Sequence, residues 1–297
     1  MKTAALALLL FLPQEADPYD QSTVPLEVEP PDRAAAKIVL VAGKASHGPG
    51  DHEYFAGMAL LMKMLRQTPG VAPVMVRDGW PKNEKILEGA KSVVFFSDGG
   101  GRHPLTEGSR MDLLQKEIDR GCGFASLHYG VNYAKQHGDR INGWLGGHIE
   151  GGYSASLAKK WTADFKAIPE HPATRGLKPF TLLDEWYYCV KFVPDLNGVT
   201  PLLQAVPPEN TRDSEEAKKH PGREEIVAWA FDRPGGGRSF GYTGGHLHKN
   251  WGDESARRLV VNGLLWTAKV EVPAGGARVE LKPEELNLHL DDKRKRK

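Results

Sequence analysis

The eight residues Gly123–Gly130, GFASLHYG, give the clearest indication of how this chain folds. It begins with the apolar run GFASL, which has the length of a strand, and His128 follows that run directly. A short apolar run of this kind predicts a strand in a sheet that is covered on both faces. Two further apolar runs are each followed within a few residues by a histidine: KIVLVAG at Lys37–Gly43 before His47, and RSFGYT at Arg238–Thr243 before His246.

These histidines are expected to meet in space. In open α/β sheets the ligand lies outside the carboxyl ends of the parallel strands, which is where each of the three predicted strands delivers its histidine. His47, His128 and His246 therefore mark the predicted site.

Strand and helix patterns alternate along the chain. Ser92–Ser97 (SVVFFS) is a further buried strand, whereas Tyr54–Arg66, Thr106–Arg120 and Glu254–Thr267 have the apolar spacing of helices, the second with a candidate cap at its first residue. Gly143–Tyr153 (GWLGGHIEGGY) predicts a glycine-rich loop. The alternation predicts an α/β fold whose mostly parallel sheet carries helices on both faces.

Both ends of the chain differ from its middle. Residues 1–16, with Lys2 before the apolar run Ala4–Leu12, predict a secretory signal peptide, and a disordered N-terminus is the alternative. The protein would then be periplasmic or secreted, or cytoplasmic if this segment is not a signal. Residues 17–36 predict a linker, residues 37–272 the α/β domain, and residues 273–297 a tail that ends in the solvated bases Lys293–Lys297.

Composition excludes several classes of function. The formal net charge is +1, so no overall field favours nucleic acid, and the apolar run near the N-terminus is too short to span a membrane. The two cysteines, Cys122 and Cys189, are too few for a disulfide-dense scaffold or a multi-cysteine zinc site. Their apolar surroundings predict buried free thiols, although a pair in an oxidising compartment stays open.

Five motifs in order resemble the ThuA-like (trehalose utilisation) family. They are Ser46–Glu53 (SHGPGDHE), Ser126–Gly130 (SLHYG), His171–Leu177 (HPATRGL), Asp184–Tyr187 (DEWY), and Gly244–His246 (GGH) with Trp251. The resemblance implies the class I glutamine amidotransferase-like fold, a flavodoxin-like three-layer α/β sandwich. It also implies sugar utilisation, with oxidised (3-keto) glycosides as one substrate class.

The elbow of that fold departs from the amidotransferase pattern. In those enzymes a Gly-x-Cys-x-Gly turn presents the nucleophile, and a histidine late in the chain is its base. Here the turn is Ser126-Leu127-His128-Tyr129-Gly130, so a histidine replaces the cysteine, and His246 stands where the base would fall. A thioester mechanism needs a thiolate, and Cys122 lies upstream in the strand, so glutaminase activity is not expected.

The imidazoles and carboxylates that remain predict a metal site. Neutral imidazole is the commonest metal ligand, and three protein ligands with an open position make a catalytic zinc-type site. We predict His47, His128 and His246 as ligands, with Glu185 as a fourth ligand or general base, because strand alternation would put it on the same side as Tyr187. The ion is a divalent transition metal, with zinc first and manganese or iron as alternatives.

Aromatic and polar residues near these loops predict a carbohydrate site. Aromatic faces stack on sugar rings, although core packing explains most such residues equally well. The candidate substrate-binding residues are Tyr129, Trp144, His148, Tyr187, His248 and Trp251. The other histidines, including His52, His103 and His171, are interpreted as hydrogen-bonding or capping residues.

Two classes of function follow. The first is a metal-assisted enzyme that hydrolyses, eliminates or isomerises a sugar or keto-glycoside, with Glu185, His128 and His246 as catalytic residues. The second is a carbohydrate-binding or scaffolding protein that shares the fold without catalysis. Both take a small carbohydrate and neither takes nucleic acid, and the sequence does not set the oligomeric state.

Overall fold

A seven-stranded sheet organises the computed structural model, which describes residues 17–155 and 158–294. The strands are β1 (Ala36–Ala42), β2 (Val71–Val76), β3 (Ser92–Phe96), β4 (Gly123–Leu127), β5 (Gly147–His148), β6 (Trp161–Phe165), β7 (Phe180–Asp184), β8 (Lys191–Phe192), β9 (Val199–Ala205), β10 (Glu225–Asp232) and β11 (Arg238–Tyr242). The α-helices are α1 (Tyr54–Leu65), α2 (Arg110–Asp119), α3 (Gly138–Leu145), α4 (Glu215–Lys218) and α5 (Glu254–Thr267).

The main sheet is mostly parallel. Its order is β2-β1-β3-β4-β11-β10-β9, and only the pairings of β10 with β11 and with β9 are antiparallel. β5 pairs with β8 and β6 pairs with β7 in two small antiparallel sheets beside it. The loops after β1, β3, β4 and β11 therefore lie along one edge of the sheet.

Both faces of the sheet are buried, which makes three layers. In β1, Leu40 belongs to the core that packs under α1 and α5, and its neighbour Val41 belongs to the opposite core with residues of α2 and α3. Side chains alternate across a strand, so an unbroken apolar run fills two cores at once. The predicted flavodoxin-like α/β sandwich is thereby confirmed.

Two local predictions were wrong. The helix predicted from Thr106 begins only at Arg110, because Pro104–Thr106 form a separate 3₁₀ turn in which the Thr106 hydroxyl donates to the His103 carbonyl. Part of the predicted loop Gly143–Tyr153 is the last turn of α3, and Gly146 ends that helix at φ 80°. Glycine tolerates this left-handed conformation, so the same residue that suggested a loop is a helix cap.

The flanking segments pack on the domain instead of leaving it. In the predicted linker, Leu26 pairs with Met75 of β2, and in the predicted tail the Lys293 side chain is almost fully buried. The prediction of a solvated end was therefore wrong for Lys293, because its ammonium is buried and paired with the Glu53 carboxylate. Residues 295–297 and the predicted signal peptide, residues 1–16, lie outside the described residues.

Among the helices described, none combines the length and the apolar character needed to cross a bilayer.

Candidate metal centre

Three histidines and a glutamate converge in a buried cluster at the carboxyl edge of the sheet. His52 follows β1, His128 follows β4, His246 follows β11, and Glu185 follows β7. His52 Nε2 lies 3.0 Å from His128 Nε2 and 2.9 Å from His246 Nδ1. Glu185 Oε2 lies 2.5 Å from His246 Nδ1 and 3.6 Å from His128 Nε2. These atoms could hold one metal ion, and we call the four residues the His/Glu cluster.

The backbone at these histidines is unusual. His47, His52 and His128 have φ values of 58°, 51° and 50°, in the left-handed region that residues other than glycine rarely adopt. Such conformations cost about 1–3 kcal/mol each and concentrate at functional sites. At His128 the sharp turn directly after β4 directs the imidazole into the cluster instead of back over the sheet.

Hydrogen bonding fixes the tautomer of His128. Its Nδ1 lies 2.9 Å from the Thr243 carbonyl oxygen, which can only accept, so Nδ1 carries the hydrogen. Burial lowers the pKa of His128 well below its ordinary value, and the neighbouring His52 lowers it further. The ring is therefore neutral, and its Nε2 presents a lone pair to the cluster.

His52 presents a lone pair for a similar reason. Burial raises the pKa of Asp98, but hydrogen bonds from His52, Ser46 and Tyr54 outweigh it and hold that pKa well below its usual range. The Tyr54 hydroxyl lies 2.8 Å from Asp98 Oδ1 and must donate to this carboxylate. Its oxygen can then accept from His52 Nδ1 at 2.5 Å, so that in the neutral ring Nε2 is the nitrogen with the lone pair.

The His/Glu cluster consequently has more acceptors than protons. Lone pairs of His52 Nε2, His128 Nε2 and Glu185 Oε2 face one another, and the hydrogens near them are at most those of Tyr187 Oη and His246 Nδ1. Burial lowers the pKa of His246, but the hydrogen bond and charge of Glu185 outweigh it and raise that pKa overall. Buried polar groups normally find partners, and a cation would satisfy these lone pairs together. The donor set therefore fits a divalent metal.

His47 lies at the rim of the cluster. Its ring stacks on that of His52 with centroids 3.6 Å apart, and its side chain is 35% exposed. With His52 and Asp98 it forms a second group that could hold an ion. The structure thus brings His128, His246 and Glu185 together as expected, and it places His52 where the sequence analysis had placed His47.

The predicted substrate-binding residues separate into two groups. Tyr187 stacks on His128, and the partly buried Tyr129 faces His52 and Tyr187, so both border the cluster. The other four make their contacts elsewhere among the described residues: Trp144 donates to Gln115 of α2, His148 donates to Asn142, His248 donates to the Leu286 carbonyl, and Trp251 packs against Phe96.

Asp184 supports the loop that carries His246. Its buried carboxylate accepts hydrogen bonds from the backbone N–H groups of Gly245, His246 and Leu247, and from the Asn250 amide. The two adjacent carboxylates therefore have different roles. Glu185 belongs to the cluster, and Asp184 fixes the backbone of the loop that carries His246. Asp184 is a positioning residue that the sequence analysis missed, since it treated only one acid of the pair as functional.

Sequence reasoning also missed His52 and Asp98. His52 was interpreted as a hydrogen-bonding or capping residue, although its position in the same loop as His47 could have marked both as candidates. Asp98 lies two residues after the end of β3, so the strand-end argument used for the histidines would have found it. His103 and His171 are capping residues as expected, each accepting from a backbone N–H two residues later.

The cysteines lie away from this chemistry. Both are buried free thiols, which agrees with the expectation from their apolar surroundings. Burial raises the pKa of Cys122 to about 12 and that of Cys189 to about 11. Neither thiol is poised to become a nucleophile, and the elbow presents His128 instead.

Fold and site together define an α/β protein with a mostly parallel seven-stranded sheet and a buried His/Glu cluster at the carboxyl edge of that sheet. The sequence profile of the ThuA family, described as trehalose utilisation, matches residues 38–267. The chain belongs to the ThuA family, which places it in carbohydrate metabolism. No curated protein is significantly similar in sequence.

Solved structures support the same fold. A ThuA-like protein from Bacteroides uniformis aligns with a TM-score of 0.57 at 16% identity, covering 84% of this chain and 97% of its own. A second, from Parabacteroides merdae, aligns with a TM-score of 0.55 at 15% identity, covering 86% of this chain and 99% of its own. At such identities the likeness establishes the fold alone.

Proposed function

We propose that this protein is a metal-assisted enzyme that hydrolyses, eliminates or isomerises a sugar or keto-glycoside. The observation that carries the proposal is the convergence of the Nε2 atoms of His52 and His128 with Glu185 and His246 in one buried cluster. These four residues would hold the ion, with zinc as first choice and manganese or iron as alternatives. When bound, such an ion acts as a Lewis acid toward a carbonyl or hydroxyl oxygen.

The surrounding residues supply orientation and proton handling. Thr243 and Tyr54 fix the rings of His128 and His52 through their Nδ1 hydrogens, as outer partners of metal-binding histidines do. Burial and the charge of Glu185 raise the pKa of Tyr187 well above its ordinary value, so its hydroxyl stays protonated and donates a hydrogen bond. Glu185 either completes the donor set or takes the substrate proton.

The rim is suited to a polar ring-shaped substrate. Tyr129 offers an aromatic edge beside the cluster, and Asp51 and Lys160 lie 3.5 Å apart with their side chains 29% and 41% exposed. Asp51 also lies 3.2 Å from His246 Nε2, so the rim and the cluster are directly connected. These groups can accept from and donate to sugar hydroxyls while the ring packs on Tyr129.

Elemental analysis of protein purified without a histidine tag tests the proposal. We expect about one equivalent of a transition metal in the parent and in His220→Ala, and its loss in His52→Ala and His128→Ala. His47→Ala should retain the metal, because His47 lies at the rim. An absence of metal in the parent even after reconstitution would exclude the metalloenzyme and leave a carbohydrate-binding protein.

Activity screening on trehalose, glycosides and keto-glycosides follows, with and without a chelator. An enzyme loses turnover on chelation, whereas a binding protein keeps its sugar affinity. Glu185→Gln separates the two roles of that residue: retained metal with lost turnover identifies a general base, and loss of both identifies a ligand.

A further inference from the structure

The segment of residues 282–294, which we call the C-terminal strap, reaches the loop that carries His52. The Lys293 ammonium lies 3.1 Å from Glu53 Oε1, and both side chains are only 1% exposed. It also donates to the backbone carbonyls of Gly48, Asp51 and His52. An ammonium has three hydrogens to donate, and these four acceptors all belong to the one loop.

Glu53 adds a second set of contacts between this loop and the strap. Glu53, the partner of Lys293, accepts from the backbone N–H of Gly50 at 2.9 Å and from that of Asp291 in the strap at 2.9 Å. The buried Glu53 carboxylate therefore stabilises the loop internally and also connects it to the strap. Buried ion pairs are favourable only when their remaining donors and acceptors are also satisfied, as they are here.

The strap also contacts the loop that carries His246. His248 Nε2 donates to the Leu286 carbonyl at 2.9 Å, two residues beyond His246. The two loops are joined directly as well, since the backbone N–H of His52 donates to the His246 carbonyl at 3.0 Å. The strap thus contacts both the loop that carries His52 and the loop that carries His246.

We propose that the C-terminal strap is a clamp of the metal centre and that Lys293 is its positioning residue, which fixes His52 through that residue's own carbonyl. His52 needs this support because its backbone is in the left-handed region, at φ 51°. Without Lys293 the loop can relax and withdraw Nε2 from His128 and His246. The inference rests on the proposed metal-assisted function, whose ligand set it extends to a supporting residue.

The test compares the full chain with Lys293→Ala and with the matched control Lys249→Ala, an exposed lysine on the turn after β11. We expect Lys293→Ala to bind Zn²⁺ or Co²⁺ about tenfold more weakly, the usual cost of losing a supporting partner of a ligand. In metal-free protein, amides of residues 46–53 should exchange with deuterium at least about tenfold faster, while those of β3 do not change. Lys249→Ala should match the parent in both.

Rescue separates positioning from general destabilisation. n-Propylammonium replaces the atoms that Lys293→Ala removes, so it should restore most of the lost metal affinity, and tetramethylammonium, which has no N–H, should not. If Lys293→Ala fails to fold because Glu53 is left unpaired, the variant Glu53→Gln/Lys293→Ala removes both charges and should still show the weaker affinity.

The outcomes are distinguishable. Unchanged affinity and unchanged exchange in Lys293→Ala, or a loss that propylammonium does not restore, would overturn the clamp while the metal site stands. A parent that binds no metal would overturn the proposed function, and exchange of residues 46–53 would still decide whether Lys293 positions the loop.

Discussion

His103 illustrates how single buried histidines set the pH response of this domain. It is fully buried, its Nδ1 accepts from the Leu105 N–H, and its Nε2 donates to the Gly130 carbonyl at 3.0 Å. Burial lowers its pKa from 6.5 to about 3. The ring is therefore neutral near pH 7, where its hydrogen bond to Gly130 supports the turn after His128.

We therefore expect acid to destabilise the protein through His103. The unfolded chain regains the ordinary pKa of 6.5, so it binds one proton more than the folded chain as the pH falls toward 3. The stability contributed by the neutral ring is complete above the unfolded pKa and is lost below it, by about 2 kcal/mol at pH 5. Urea unfolding between pH 8 and 5 measures this slope.

In the variant His103→Gln, unfolding should take up one proton fewer, so the free energy of unfolding should depend less steeply on pH. Glutamine can accept from Leu105 and donate to Gly130, so both hydrogen bonds can persist without a titrating group. The control is His220→Gln, at a partly exposed histidine beside Glu216. Equal slopes in His103→Gln and the parent would contradict the assignment.

At the scale of elements, the β7 terminus controls the loop after β11. Asp184 accepts three backbone N–H groups of that loop, and asparagine in its place would turn an NH₂ group toward at least one of them. We expect Asp184→Asn to lower the free energy of unfolding by about 2 kcal/mol, the scale of hydrogen bonds to a charged group. Metal affinity should also fall about tenfold, since His246 is displaced.

Asp164→Asn is the matched control, because Asp164 is exposed on β6. Denaturant unfolding and zinc titration on the two variants measure both effects. A normal metal affinity in Asp184→Asn, together with reduced stability, would show that the carboxylate supports the fold without placing His246.

Elements were predictable from sequence where local signals were strong. The runs at β1, β3, β4 and β11 are mainly apolar because both faces of the sheet are covered. The bounds of α5 agree with its apolar stripe, and Asp253 caps it. The start of α2 was not predictable, because a 3₁₀ turn precedes that helix. The existence of α3 was not predictable either, because glycines interrupt its sequence.

The sequence was sufficient to predict which loops form the site, but not every residue within them. Strand-end position identified His128 and His246, because a strand end fixes where the next residue lies. It could not choose between His47 and His52, since the path of their loop depends on contacts with Leu247 and Lys293 that are distant in sequence. The roles of Asp184 and Lys293 depend on the same kind of long-range contact.

At the scale of the whole molecule, the two flanking segments close the fold together. Gln21 donates to the His289 carbonyl at 3.1 Å, and the Leu290 N–H donates to the Pro18 carbonyl at 2.8 Å. The N-terminal segment also covers the outer edge of β2, where the Glu27 N–H donates to the Met75 carbonyl at 2.8 Å. Strand edges left uncovered are sites of association, so this segment protects the sheet.

A variant that begins at Ala35 should therefore be less stable than one that begins at Asp17. It loses the buried Val24 and the partly buried Leu26, whose burial together contributes about 3 kcal/mol. For a chain of this size that corresponds to a fall in Tm of roughly 6–12 °C. The uncovered β2 edge should also cause association that increases with concentration, measured by light scattering. An unchanged Tm and equal scattering in the two variants would mean that residues 17–34 are a linker, as the sequence alone predicted.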